Sequence, residues 1–166
     1  MRVRLGIFVV PDATDPASTV GQMLAADETG LDFVGVQDHP YQGRFFDTWT
    51  LLGAYGPRML RLTGRLADGW LPSLGGHYLT PEDVPQRQAA IDEAARAAGR
   101  DPGDIERAVN VMGLEGTPAS WAQQLARIAT DLHFSTLLVG VPDDDPIGFI
   151  RRLGEDTAPT VRELAS

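Results

Sequence analysis

The apolar residues of this chain fall into short runs separated by stretches with helical spacing. Leu5 to Val10 is nearly continuous and β-branched, the pattern of a strand covered on both faces. The next stretch opens with Asp15 at an N-cap position and Pro16 in the first turn. It sets Val20, Met23 and Leu24 on one face and stops before Gly30, which predicts a helix. Leu31 to Val36 returns to a strand pattern. Strand, helix and strand within about 35 residues make a βαβ unit, which in a parallel sheet is almost always right-handed.

The same alternation continues to the end. Asp47 to Leu52 fits either one helical turn or a strand stub, and GAYGP at Gly53 to Pro57 stops it. Pro57 then opens a helix through Met59, Leu60, Leu62 and Leu66. Gly69 to Leu74 reads as a short strand followed by a loop at Gly75, Gly76, His77 and Tyr78. Thr80, Pro81 and Asp83 begin a helix in which Ile91, Ala95 and Ala98 share a stripe, ended by Gly99. Ala108 to Leu114 and Ser135 to Val141 read as strands around a helix, Thr117 to Leu132, that carries Trp121, Leu125, Ile128 and Leu132 on one face. A last helical stretch, Pro146 to Leu153, is interrupted before Pro159. No repeat or linker divides the chain. The expectation is a single α/β domain over residues 1–166 with about five or six mostly parallel strands.

Composition narrows the function classes. At 166 residues the chain is about one domain's worth. Its 43% apolar and 22% charged residues indicate neither disorder nor a membrane span. A formal charge of −9 argues against a nucleic-acid or anionic-membrane partner, because both need concentrated positive charge. Without cysteine there is no disulfide, thiolate nucleophile or cysteine-bound metal, a profile that suits the cytoplasm. The apolar run before Pro11 is too short for a secretory signal.

Two places carry candidate chemistry. Within Leu31 to Phe46 the apolar run ends at Val36 and gives way to Gln37, Asp38 and His39 before Pro40 forces a turn, as where a buried strand delivers polar side chains to a ligand-bearing rim. His39 is the first candidate, against the reading of a loop histidine satisfied by its neighbours. Gly53, Ala54, Tyr55, Gly56, Pro57 and Arg58 form the second: two glycines permit close backbone approach, and a helix N-terminus offers N–H groups and a positive dipole end to a phosphate. From spacing alone an ordinary strand-to-helix turn is the more frequent reading. Tyr41, Arg44, His77 and Tyr78 lie after strands and border the same rim by position. His133 stands at a helix end, where a C-terminal cap favoured by the dipole is expected. The acidic run Asp143, Asp144 and Asp145 reads as a solvated turn rather than a metal site.

DETGLDFVGVQDHP near the start and GAYGPRMLRLTGRLADGWLPS in the middle resemble two motifs of the luciferase-like monooxygenases, which use flavin or the deazaflavin coenzyme F-420 on a (β/α)8 barrel. The resemblance implies a fold of the TIM-barrel type. A full eight-unit barrel needs about 250 residues, so the expected form is a truncated (β/α) barrel that has lost about three βα units near Leu52 and Gly53. It further implies Asp38 and His39 as an acidic-His pair near the reactive ring, and Gly53 to Arg58 as the turn for the phosphate of F-420 or FMN, with Arg58 or Arg61 as charge partners.

The function expected on these grounds is hydride or oxygen transfer to a small organic substrate. A scaffold that no longer holds a cofactor, and a non-redox enzyme using His39 as a base, stand beside it. Loss of strands would leave sheet edges and apolar surface uncovered, which predicts a homodimer.

Overall fold

The computed structural model describes residues 3–11, 14–36, 51–75 and 77–166. Two compact units divide the chain, residues 1–39 with 110–166 and residues 40–109. The junction at Leu52/Gly53 follows directly on residues 37–50, which lie outside the described set together with Asp38, His39, Tyr41 and Arg44.

In the first unit β1 (Arg4–Val9) lies between β2 (Phe33–Val36) and β7 (Thr136–Gly140), both parallel to it. Between β1 and β2 runs α1 (Pro16–Glu28), capped as expected by Asp15, whose carboxylate accepts the Ser18 N–H at 3.1 Å. α4 (Pro118–Asp131) precedes β7 and starts at a capping box between Thr117 and Ser120. Alternate residues of the strands, Leu5, Ile7 and Val9 on β1 and Leu137 and Val139 on β7, are fully buried. Asp32, inside the first family-like motif, has a structural task. Its carboxylate accepts the Leu5 N–H at 2.9 Å and the Arg162 guanidinium at 3.0 Å, which fixes the entrance to β1.

Two expectations fail here for physical reasons. Val20 and Leu24 were expected to share α1's inner face, yet they are 54% and 58% exposed; the buried positions are Ala25 and Ala26. Small residues make that contact because the far end of α1 approaches very closely: a Cβ on Gly154 would overlap Thr29. The chain's final helix is also not broken before Pro159. α5 (Pro146–Arg151) passes through a π-helical turn at Arg152–Thr157 into α6 (Ala158–Leu164). The wider turn lets the helix run on past a proline that has no N–H to give.

In the second unit β4 (Gly69–Trp70) lies between β3 (Leu51–Leu52) and β6 (Glu106–Val111), all parallel, and β5 (Ser73–Leu74) pairs with β6. Pro72 splits the single strand expected over Gly69 to Leu74 into β4 and β5, since it cannot donate to a ladder. The division between the units falls inside β6, after Val109. α2 (Pro57–Leu66) and α3 (Val84–Ala97) pack against each other. Gly64 makes this possible, because any Cβ there would collide with the Ile91 carbonyl and the Ala94 side chain. Arg100 ties the pair by donating to the carbonyls of Gly64 at 3.1 Å and Ala67 at 2.8 Å, two of the acceptors that α2 leaves free at its C-terminus. Arg107 on β6 pairs with Asp92 of α3; burial pushes its guanidinium below the usual arginine range and the carboxylate opposes that shift. The class is α/β with parallel strands joined by helices, as expected, and the described residues hold seven strands rather than five or six.

Candidate functional site

The second unit builds the turn at Gly53 to Arg58 from the strand outwards. β3 ends at Leu52, the chain turns through Gly53 to Gly56, and Pro57 starts α2. Each residue of the turn but one has a structural reason for its place. Gly53 lies so close to Leu71 that a Cβ would sit 3.1 Å from its carbonyl oxygen. Ala54 is buried, and its carbonyl accepts the indole N–H of Trp70 at 2.8 Å. The Tyr55 hydroxyl accepts the Ser73 N–H at 2.8 Å, and its ring stacks on Tyr78 with centroids 6.3 Å apart. Tyr78, expected at this rim by position alone, does join the turn, whereas His77 is exposed and has no partner among the described residues.

Gly56 is the exception. Its φ of −84° is open to any residue, and a Cβ there would meet no described atom within 4 Å. Neither its backbone nor packing against the described residues asks for glycine. It is nonetheless the N-cap of α2 and gives no side-chain cap, so the N–H groups of Arg58 and Met59, at the positive end of the helix, are left without an intrahelical acceptor. Pro57, at the first helical position, removes a donor that would have had no partner. The turn is thus held by the Trp70 and Ser73 contacts, and among the described residues nothing caps its helix N-terminus, an arrangement suited to an anion.

The first unit has a cavity of about 710 Å³ at the carboxyl ends of its strands. Phe8 to Val10 after β1, Met112 to Leu114 after β6, and Gly140 to Asp143 after β7 form its walls. Ser18, Thr19 and Gln22 of α1 add polar groups, and Phe149 closes one side with Trp121 packed behind it, rings 5.0 Å apart. The indole N–H of Trp121 is buried and without a partner among the described residues. Of these residues only Asp143 stands out in the sequence, as part of an acidic run. Ser18 and Gln22 are polar side chains on a helix, and nothing in their spacing tells them from a solvated face. Asp143 lines the cavity, while Asp145 caps α5 by accepting the Gly148 N–H and pairs with Arg152, so the acidic run is a structured helix start. His133 follows the end of α4 with φ of 56°, so its backbone takes the left-handed position common after a helix.

Parallel strands with a cavity at their carboxyl ends in the first unit, and a strand leading through a glycine turn into a helix in the second, define an α/β protein. Comparison with known proteins makes this more specific. Residues 50–114 match the model of the luciferase-like monooxygenase family, so the resemblance seen in the middle motif is shown for that stretch, while the DETGLDFVGVQDHP motif lies outside it. The phthiodiolone/phenolphthiodiolone dimycocerosates ketoreductase of Mycobacterium tuberculosis is 44% identical over 66 residues, which are 40% of this chain and 16% of the relative. A protein of the same name from Mycobacterium sp. (strain JLS) is 40% identical over 78 residues, 47% of this chain and 19% of its own. The matched stretch spans about a sixth to a fifth of these relatives' length. Among solved structures, the coenzyme F-420-dependent tetrahydromethanopterin reductase from Methanopyrus kandleri aligns over 93% of this chain and 73% of its own at 16% identity, with a TM-score of 0.46.

Proposed function

We propose that this chain is an oxidoreductase of the luciferase-like type that takes coenzyme F-420 or FMN and transfers a hydride to the carbonyl carbon of a small organic substrate. The observation that carries the cofactor part is Gly56: a residue with no side chain where neither its conformation nor packing against the described residues requires that, at an N-terminus of α2 that no described side chain caps. A phosphate ester placed there receives the Arg58 and Met59 N–H groups, with the Arg58 side chain next in line. Carbonyl reduction is preferred to oxygen transfer because the relatives matched over this stretch are named ketoreductases.

A cofactor bound in its reduced form would supply the hydride and be oxidised in turn, and this chain supplies the rest. Gly53 to Arg58 hold the phosphate end, and the Trp70 and Ser73 contacts keep the turn from yielding. His39 gives a proton to the oxygen of the carbonyl being reduced, and Asp38 favours its protonated form. The substrate is a small organic carbonyl compound. Among the described residues β2 ends the strand order and its Val36 is 43% exposed, which supports a homodimer; light scattering that gives a monomer at micromolar concentration would refute it.

Titration of the purified protein with FMN and with F-420, followed by cofactor fluorescence, tests the reading. Saturable binding of one of them at low micromolar concentration is expected. If neither binds at about tens of micromolar, where a site worth roughly 6–7 kcal/mol would already be filling, the redox reading fails and a cofactor-free scaffold takes its place.

A further inference from the structure

Beyond the turn, α2 presents an outward side of which the proposed redox chemistry uses only Arg58. Arg58, Arg61 and Arg65 stand at i, i+3 and i+7 and so share one face of the helix, and all three are exposed. None of them has an ion-pair partner among the described residues. Like charges at these spacings repel one another, so the row costs the free protein stability that an anion would restore. The concentration is also against the trend of the molecule, whose net charge is −9.

The three arginines edge a groove of about 860 Å³ between α2 and α3. Its remaining lining is apolar: Met59 and Leu62 from α2, and Ala94, Ala97 and Ala98 from α3. Met59 is 43% exposed and Leu62 36%, and the alanine side leaves the space between the helices unfilled. A multivalent inorganic anion would satisfy the guanidinium groups and leave this floor wet. A neutral alkyl chain would cover the floor and leave the cations unpaired.

We propose that the α2–α3 groove binds a single-chain anionic amphiphile, its carboxylate or phosphate head on the arginine row and its alkyl chain along the alanine floor. Charge complementarity selects the head, and the apolar lining and concavity select the chain. A planar anionic membrane is the less suitable occupant, because the protein's overall negative charge repels such a surface while a monomer need approach only the groove. The groove lies within the second unit and does not depend on the redox reading.

Calorimetric titration of the full chain with decyl phosphate below its critical micelle concentration tests this. One molecule bound per chain is expected, weakened about tenfold or more in Arg65→Glu, which reverses the outermost charge, and in Ala97→Phe, which fills the floor; circular dichroism checks that both variants stay folded. Decyltrimethylammonium should not bind, and inorganic phosphate should bind far more weakly. Equal binding of the cationic and anionic amphiphiles, binding untouched by both folded variants, phosphate as tight as decyl phosphate, or no binding at all would each overturn the proposal. Sedimentation with phosphatidylglycerol vesicles in the absence of monomer binding would overturn it in favour of a membrane surface.

Discussion

Gly56→Asp is expected to make the protein more stable and at the same time to abolish binding of a phosphate-bearing cofactor. The two effects have one cause. Gly56 is the N-cap of α2 with extended backbone, φ −84° and ψ 155°, and it supplies no side-chain acceptor. An aspartate there accepts from the first-turn N–H groups and sits at the positive end of the helix dipole, together worth about 0.5–1 kcal/mol. In a domain of this size that is about 1–4 °C in melting temperature. No described atom lies within 4 Å of the new Cβ, so packing takes nothing back. A cofactor phosphate would meet the same carboxylate about 4 Å away, where two like charges repel by about 4 kcal/mol at an effective dielectric near 20, a loss of roughly 10²–10³ in affinity. Gly56→Ser separates cap from charge: it should gain similar stability and keep binding within about tenfold. A stabilised Gly56→Asp that still binds its cofactor like wild type would show that the phosphate lies elsewhere. A destabilised one would show that the turn is held by something beyond the described contacts.

How much of this was readable in advance follows from where each residue's partners lie. Asp15, Thr117 and Pro57 announce helix starts because the groups they satisfy are within three residues, and Leu5 to Val9 announces a strand because a run buried on both faces must be apolar throughout. The inward face of α1 departs from its apolar pattern for the opposite reason. Size alone does not mark burial: Ala25 and Ala26 are buried while Leu24 stays out at 58% exposure, and on α2 Gly64 makes the close contact with α3 while Leu60 is buried and Leu66 is not. Close helix approach selects for small residues, and sequence cannot announce an approach made by residues 30 or more positions away, as Arg100 makes to Gly64. The site divides in the same way. The glycine turn was legible as a motif, yet the difference between Gly53, where a Cβ would crowd the Leu71 carbonyl, and Gly56, where it would meet no described atom, came only with the geometry. The cavity at Ser18, Gln22 and Asp143 was invisible, because parallel strands bring to one rim residues with no sequence relation.

His39→Ala is expected to leave cofactor affinity within about twofold and to lower kcat by roughly 10²–10⁴, the range for removing a group that transfers a proton in the rate-limiting step. His39 lies outside the described residues; its place in the chain after β2, its position next to last in the DETGLDFVGVQDHP motif and the needs of carbonyl reduction assign it this role. A hydride delivered to carbon leaves negative charge on oxygen, and at neutral pH a proton donor with a pKa near 6.5 is better matched to that oxygen than any carboxylate or lysine at its usual value. The sign of the pH dependence follows. As the acid in the reduction, His39 acts in its protonated form, so kcat should fall as pH rises through the histidine pKa, and the neighbouring Asp38 carboxylate should move that fall upward by favouring the cation. In His39→Ala the profile should be flat and low across the same window, and in Asp38→Asn the fall should come at lower pH with a smaller loss of rate. His39→Gln tests positioning against proton transfer: it retains a hydrogen-bond donor but no exchangeable charge, so it should restore substrate KM without restoring kcat. An alanine variant with full kcat would remove His39 from the chemistry, whatever the turn at Gly56 binds.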